Sequence, residues 1–208
     1  MTPQSTQAER PLCTQLREQT LALRWAIERS LGLPGSIHTR DDYVIWLGGF
    51  LGLHGLLERL CSTFPGWGAL DVTVQPRGRT DCVIADPASP GTNSADVNRA
   101  TPLQLPEAPT FAHTFGASYA VEGATLGGRV ILRDLGPLLG ATIAGVARFF
   151  GGRGNATEPV WQIFRLILDS CGPHRPQNHT DVGYRTERTF RAMPTRLGPL
   201  RGAVDAPP

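Results

Sequence analysis

The chain has 208 residues, 40% of them hydrophobic, with a net charge of +2. That is enough for one domain with a real core, and it argues against a disordered chain. No block of like charge marks a nucleic-acid surface. All 20 basic residues are arginine, so every fixed positive group is a planar fork suited to carboxylate or phosphate.

The cysteines Cys13, Cys61, Cys82 and Cys171 form no CxxC pair, and the polar start has no apolar signal core. Reduced thiols in a cytoplasmic protein are therefore expected. The most apolar stretch, 43–57, is interrupted by His54. It falls short of the roughly 20 residues that a spanning helix needs, so a buried helix rather than a membrane span is expected.

Residues 1–10 read as a flexible tail, 11–195 as the folded domain and 196–208 as a second flexible tail. Pro11 suits the first turn of a helix. Leu12, Leu16, Leu23, Ile27 and Leu31 then recur at helical spacing until Gly32 and Pro34 stop the run. Thr39 followed by Asp42 is an N-cap signature for a second helix over 41–62. That helix carries Gly48, Gly49, Gly52 and Gly55. Each glycine costs a helix about 1 kcal/mol relative to alanine, so a neighbour or a ligand is expected to approach its backbone closely.

Residues 80–85 suit a short helix, and 86–109 read as a long connection. A helix over 111–136 holds Gly123, Gly127 and Gly128 near its middle, where a kink is expected. A glycine loop, 151–155, precedes a helix that Thr157 and Pro159 open and that runs to Cys171. The last helix spans about 177–193, and Val72-Thr73-Val74 is too short to build a sheet. The expected architecture is all-α, a single-domain helical bundle with one kinked helix.

The segment YAVEGATLGGRVI, 119–131, resembles the distal-helix motif of heme oxygenases. The likeness is greatest to bacterial, biliverdin-producing members of the type associated with bacteriophytochromes. Leu16, Arg17, Thr20 and Glu28 resemble the first helix of that family. Similar stretches follow in order at 43–60, at Phe149-Phe150 and the glycine loop, at 161–168 and at Thr189-Phe190, so the resemblance covers roughly 12–195. It implies a heme oxygenase-like bundle that takes heme as substrate and cofactor. The implied activity is oxidative cleavage of heme to biliverdin, carbon monoxide and iron, with an electron donor and a bacteriophytochrome link. The implied tetrapyrrole pocket lies over Gly123, Gly127 and Gly128, with Arg17 facing a propionate and Tyr119 at the edge. Arg185 or Arg188 is placed to meet the other propionate. A flat macrocycle stacked on a helix leaves no room for side chains, which glycine satisfies, although tight helix packing favours the same residues.

Ungapped alignment of those first-helix residues places the family's iron-ligating histidine at Arg24. Iron needs an electron-pair donor, and a guanidinium stays protonated and offers only N–H donors. Glu28, one turn on, is positioned to pair with Arg24 or to form a plain surface ion pair. Among His38, His54, His113, His174 and His179, the candidate axial ligand is His54, because its helix has clearance for a ligand. Ala124 replaces the aspartate of animal-type heme oxygenases.

The catalytic residues are left open, and two readings stand. The first is a heme oxygenase with another iron ligand. The second is a non-catalytic binder of a tetrapyrrole or other small molecule, with Arg24 as counter-charge to a ligand acid. A different enzyme on this fold is less well supported. Glu28, Glu58 and Glu122 lack the ExxH pairing of a di-iron site. Cys13, Cys61 and Cys171 show no local acidic partner of the kind a thiaminase-like nucleophile wants. Cys171, His174 and His179 fall short of the four donors of a structural zinc site.

Overall fold

A computed structural model describes residues 10–70, 80, 109–139, 154–170 and 176–204, with the backbone alone at 124–130 and several other positions. The helices are α1 (Leu12–Leu31), α2 (Arg40–Ser62), α3 (Phe111–Leu139), α4 (Thr157–Ser170) and α5 (Pro176–Val204). Short 3-10 helices cover Pro65–Ala69 and Gly154–Ala156. The fold is all-α, with no strand among the described residues. Residues 72–74, 81–108, Phe149, Phe150, Cys171 and His174 lie outside them.

Local chemistry accounts for the boundaries of the first two helices. Gly32 closes α1 at φ 67°, where its lack of a Cβ removes the steric penalty, and its N–H donates to the Glu28 carbonyl. Thr39 and Asp42 open α2 with a reciprocal capping box. By length and composition α2 could cross a membrane, yet 61% of its most apolar window is buried inside the fold.

The later helices run further than their sequences suggest. The helical backbone of α3 continues through Gly123, Gly127, Gly128 and Pro137. The last helix does not stop near Met193 but passes Pro194 and reaches Val204. Phe190, Met193 and Leu197 are all buried and extend one apolar stripe across that proline. Packing of the stripe outweighs the local cost of proline.

The core has two parts. Ile27, Leu31, Trp46, Leu47, Leu51, Ala120, Phe190 and Leu197 belong to a largely aliphatic cluster among α1, α2, α3 and α5. Leu12, Leu16, Trp67, Phe115, Phe164 and Leu168 belong to an aromatic-rich cluster near the start of α1. Helix α3 contributes to both and packs against α2 and α5. At its crossing with α5, Thr186 Oγ1 donates to the Gly116 carbonyl at 3.1 Å.

Candidate functional site

Four helices meet around a cavity of about 330 Å³. Its walls are Cys13, Thr14, Arg17 and Arg24 from α1, Tyr119 and Gly123 from α3, Trp161 and Arg165 from α4, and Phe190 from α5. The size is at the lower end of the range for small-molecule sites, ~300–1,000 Å³. Helical periodicity assembles these walls. Arg17 and Arg24 are two turns apart, while the pairs Tyr119/Gly123 and Trp161/Arg165 are each i,i+4, so each set shares one helix face.

The wall on α4 is fixed in two ways. An aromatic column runs from Phe111 to Phe115 (ring centroids 4.1 Å apart), to Phe164 (5.5 Å) and to Trp161 (5.3 Å). Trp161 then meets Tyr119 at 5.7 Å. In addition, Asp169 Oδ1 accepts from the Cys13 backbone N–H at 2.8 Å. Pro11, the N-cap of α1, makes no side-chain cap hydrogen bond. Asp169 therefore supplies from α4 an acceptor that the free N–H groups of the helix start need. This bond ties α4 to α1, and Arg165 and Arg17 line the same cavity.

Electrostatically the cavity is lined by donors. Among the described residues no carboxylate lies within ion-pair distance of Arg17, Arg24 or Arg165. Tyr119, 5% exposed, makes no hydrogen bond through its hydroxyl among the described residues. Burial pushes the phenol up to about 12 against the opposing pull of Arg24, Arg165 and Arg17. Burial, reinforced by Asp169, likewise pushes the Cys13 thiol up to about 12. At neutral pH both keep their protons.

This donor set does not fit iron ligation. The guanidiniums have no lone pair to give, and the thiol and phenol are held protonated. His54 is buried in α2 but does not line the cavity. Among the described residues no three His, Cys, Asp or Glu side chains group as a metal site.

The other sequence candidates divide as follows. Arg17, Arg24, Tyr119 and Gly123 line one cavity. Gly127 and Gly128 lie on the same helix, but the surroundings of their α-carbons are outside the described residues. Glu28 makes no ion pair with Arg24 and instead lines an open surface depression with Trp25 and Arg29. Arg185 and Arg188 do not reach the cavity. They lie over the exposed Tyr184 ring, 5.5 and 5.8 Å from its centroid. His113 bonds Thr110 Oγ1 at 2.8 Å, and burial, then Arg185, lowers its pKa. His38 lies exposed before α2, and His179 Nδ1 is 3.5 Å from Gln15 Nε2.

The sequence reading of the site did not name the wall residues Cys13, Thr14 and Arg165, nor Asp169. Arg165 carried no signal beyond its place in an amphipathic helix. Cys13 and its acidic neighbour Asp169 are 156 positions apart, so no local pattern announces them. The pair has the composition of a nucleophile and base, but a thiol held near 12 is a poor nucleophile at neutral pH. Compared with models of known protein families, with curated proteins and with solved structures, the chain finds no match.

Proposed function

We propose that this chain is a heme oxygenase-like protein that binds a planar, acidic small molecule, a tetrapyrrole foremost, without cleaving it through a protein-ligated iron. One observation carries the reading. The two segments that resemble the heme oxygenase family, around Arg17–Arg24 and around Tyr119–Gly123, lie far apart in sequence and face each other across one cavity. An apolar, aromatic wall with a few converging polar groups is the general pattern of a small-molecule site. Here the polar groups are cationic, which suits a ligand that carries carboxylates.

The residues have distinct tasks in this reading. Trp161 and Phe190 offer apolar faces to the flat body of the ligand. Gly123 keeps α3 from filling the cavity, since among the described residues a Cβ there would meet only Trp161, at 3.9 Å. Arg17, Arg24 and Arg165 neutralise acid groups, and the Tyr119 hydroxyl donates a hydrogen bond.

The test is a titration of the purified protein with biliverdin and with hemin, followed by absorption, beside Arg24→His. Saturable binding of biliverdin by the wild type is expected, with hemin showing no spectrum of a histidine-ligated heme until histidine replaces Arg24. Reductant-dependent conversion of hemin to biliverdin by the wild type would overturn the non-catalytic reading. Failure of both tetrapyrroles to bind would remove the ligand assignment.

A further inference from the structure

We infer that Arg24, flanked by Arg17 and Arg165 and faced by the Tyr119 hydroxyl, forms a receptor for one oxyanion group of the ligand. The acid group of the ligand would then occupy the side of the cavity where the resemblance places an iron ligand. This rests on the proposed reading of the cavity as a ligand site.

Three observations converge. First, three guanidiniums, two from α1 and one from α4, line one cavity, and none of them has a carboxylate within ion-pair distance among the described residues. Like charges gathered around one cavity repel, and a bound anion relieves the repulsion. Second, every polar side chain at this end is a hydrogen-bond donor. Guanidinium is a donor with no acceptor capacity, and the phenol retains its proton. A wall of donors matches a group made of acceptors, and a guanidinium fork matches the two oxygens of a carboxylate or phosphate. Third, the helices that carry the charges are held in place. Asp169 clamps α4 to the start of α1 through Cys13 N–H, and Trp161, one turn before Arg165, is locked in the aromatic column. Preorganised donors hold an anion without paying to be assembled around it.

The arrangement assigns unequal parts to the three arginines. Arg17 and Arg165 are exposed and Arg24 is half-buried. Solvent screens the outer pair, so Arg24 is the charge whose loss the ligand should feel most.

The experiment compares biliverdin with its dimethyl ester, and inorganic phosphate with buffer alone. It uses the wild type, Arg24→Gln and, as a control on the same helix outside the cavity, Arg29→Gln. Glutamine is a good helix former, so α1 should persist in both variants, and circular dichroism verifies this. Binding is read by absorption titration, and phosphate by NMR of arginine side-chain Nε–H signals. The expected result is that the ester binds about tenfold to a hundredfold more weakly than the free acid, the range for one charged hydrogen-bonded contact. Arg24→Gln should erase that preference and Arg29→Gln should keep it. Phosphate should shift the Arg24 signal in the wild type. If acid and ester bind equally and Arg24→Gln changes nothing, the receptor is overturned while the tetrapyrrole reading survives. If neither tetrapyrrole binds but phosphate still shifts Arg24, the receptor stands and the tetrapyrrole reading falls. If neither tetrapyrrole nor phosphate binds, both fall.

Discussion

At Gly116 of α3 a Cβ would come within 2.8 Å of the Arg185 Cβ and 2.9 Å of the Val182 carbonyl oxygen. At Gly123, seven residues on, it would meet only Trp161 among the described residues, at 3.9 Å. The residue type is the same, the helix is the same and the offset is two turns, yet the surroundings are opposite. Gly116 closes a helix crossing, where the bond from Thr186 to its carbonyl seals the contact. Gly123 keeps open a cavity whose far walls are aromatic and cationic. A glycine-rich helix in a sequence is therefore a request for space, and only the neighbours decide whether another backbone or a ligand takes it.

The largest difference between the two regions is expected in alkali. The cavity wall holds Cys13 and Tyr119, both raised to about 12, whereas the residues at the Gly116 crossing are not titratable except Arg185. Cys61, raised to about 11 mainly by burial, lies elsewhere, beside Ser118. A folded-state pKa above the unfolded value stabilises the fold below the unfolded pKa and loses that contribution as pH rises through the folded one. From the ordinary thiol value of 9.0 upward, the unfolded chain gives up protons that the native state keeps. Denaturant midpoints should therefore fall steadily above pH 9. Cys13→Ser should flatten the decline, while Thr186→Val should leave its slope alone.

Next in size is Gly116→Ala. Its methyl group collides with the backbone of α5, so the helices must separate, at a cost of about 1–3 kcal/mol by urea unfolding. A smaller loss, about 0.5–1.5 kcal/mol, is expected for Thr186→Val, which removes the sealing hydrogen bond from a fully buried position. The smallest effect, with the opposite sign, belongs to Gly123→Ala. Alanine fits the available space and improves helix propensity, so stability should rise by up to about 1 kcal/mol. Equal destabilisation by both glycine substitutions would erase the distinction between crossing and cavity.

Much of the fold was legible because its signals are local. The stripe from Leu12 to Leu31, the Thr39/Asp42 box and Gly32 each act within one or two turns. The end of α5 was not legible, because Pro194 is a strong local signal that the burial of Leu197 overrides. At the site, Arg17, Arg24, Tyr119 and Gly123 could be read from two recognisable helices. Arg165, Cys13 and Asp169 could not, since their meeting depends on how α4 docks against α1. Glu28 was expected near Arg24 from its i,i+4 spacing, and Arg185 or Arg188 was expected at a propionate from the resemblance. Glu28 turns to the surface beside Trp25, and the two arginines are drawn over the exposed ring of Tyr184. Helical spacing gave the face only approximately, and local partners decided where each charge went.

The most direct test of the proposed ligand space is thermal unfolding of the wild type and of Gly123→Leu, each with and without biliverdin. A ligand that binds only the folded state raises its midpoint in proportion to occupancy. Biliverdin should raise the wild-type midpoint and leave that of Gly123→Leu unchanged, because the leucine side chain takes up the ligand space. An equal rise in both proteins would contradict this and place the ligand elsewhere.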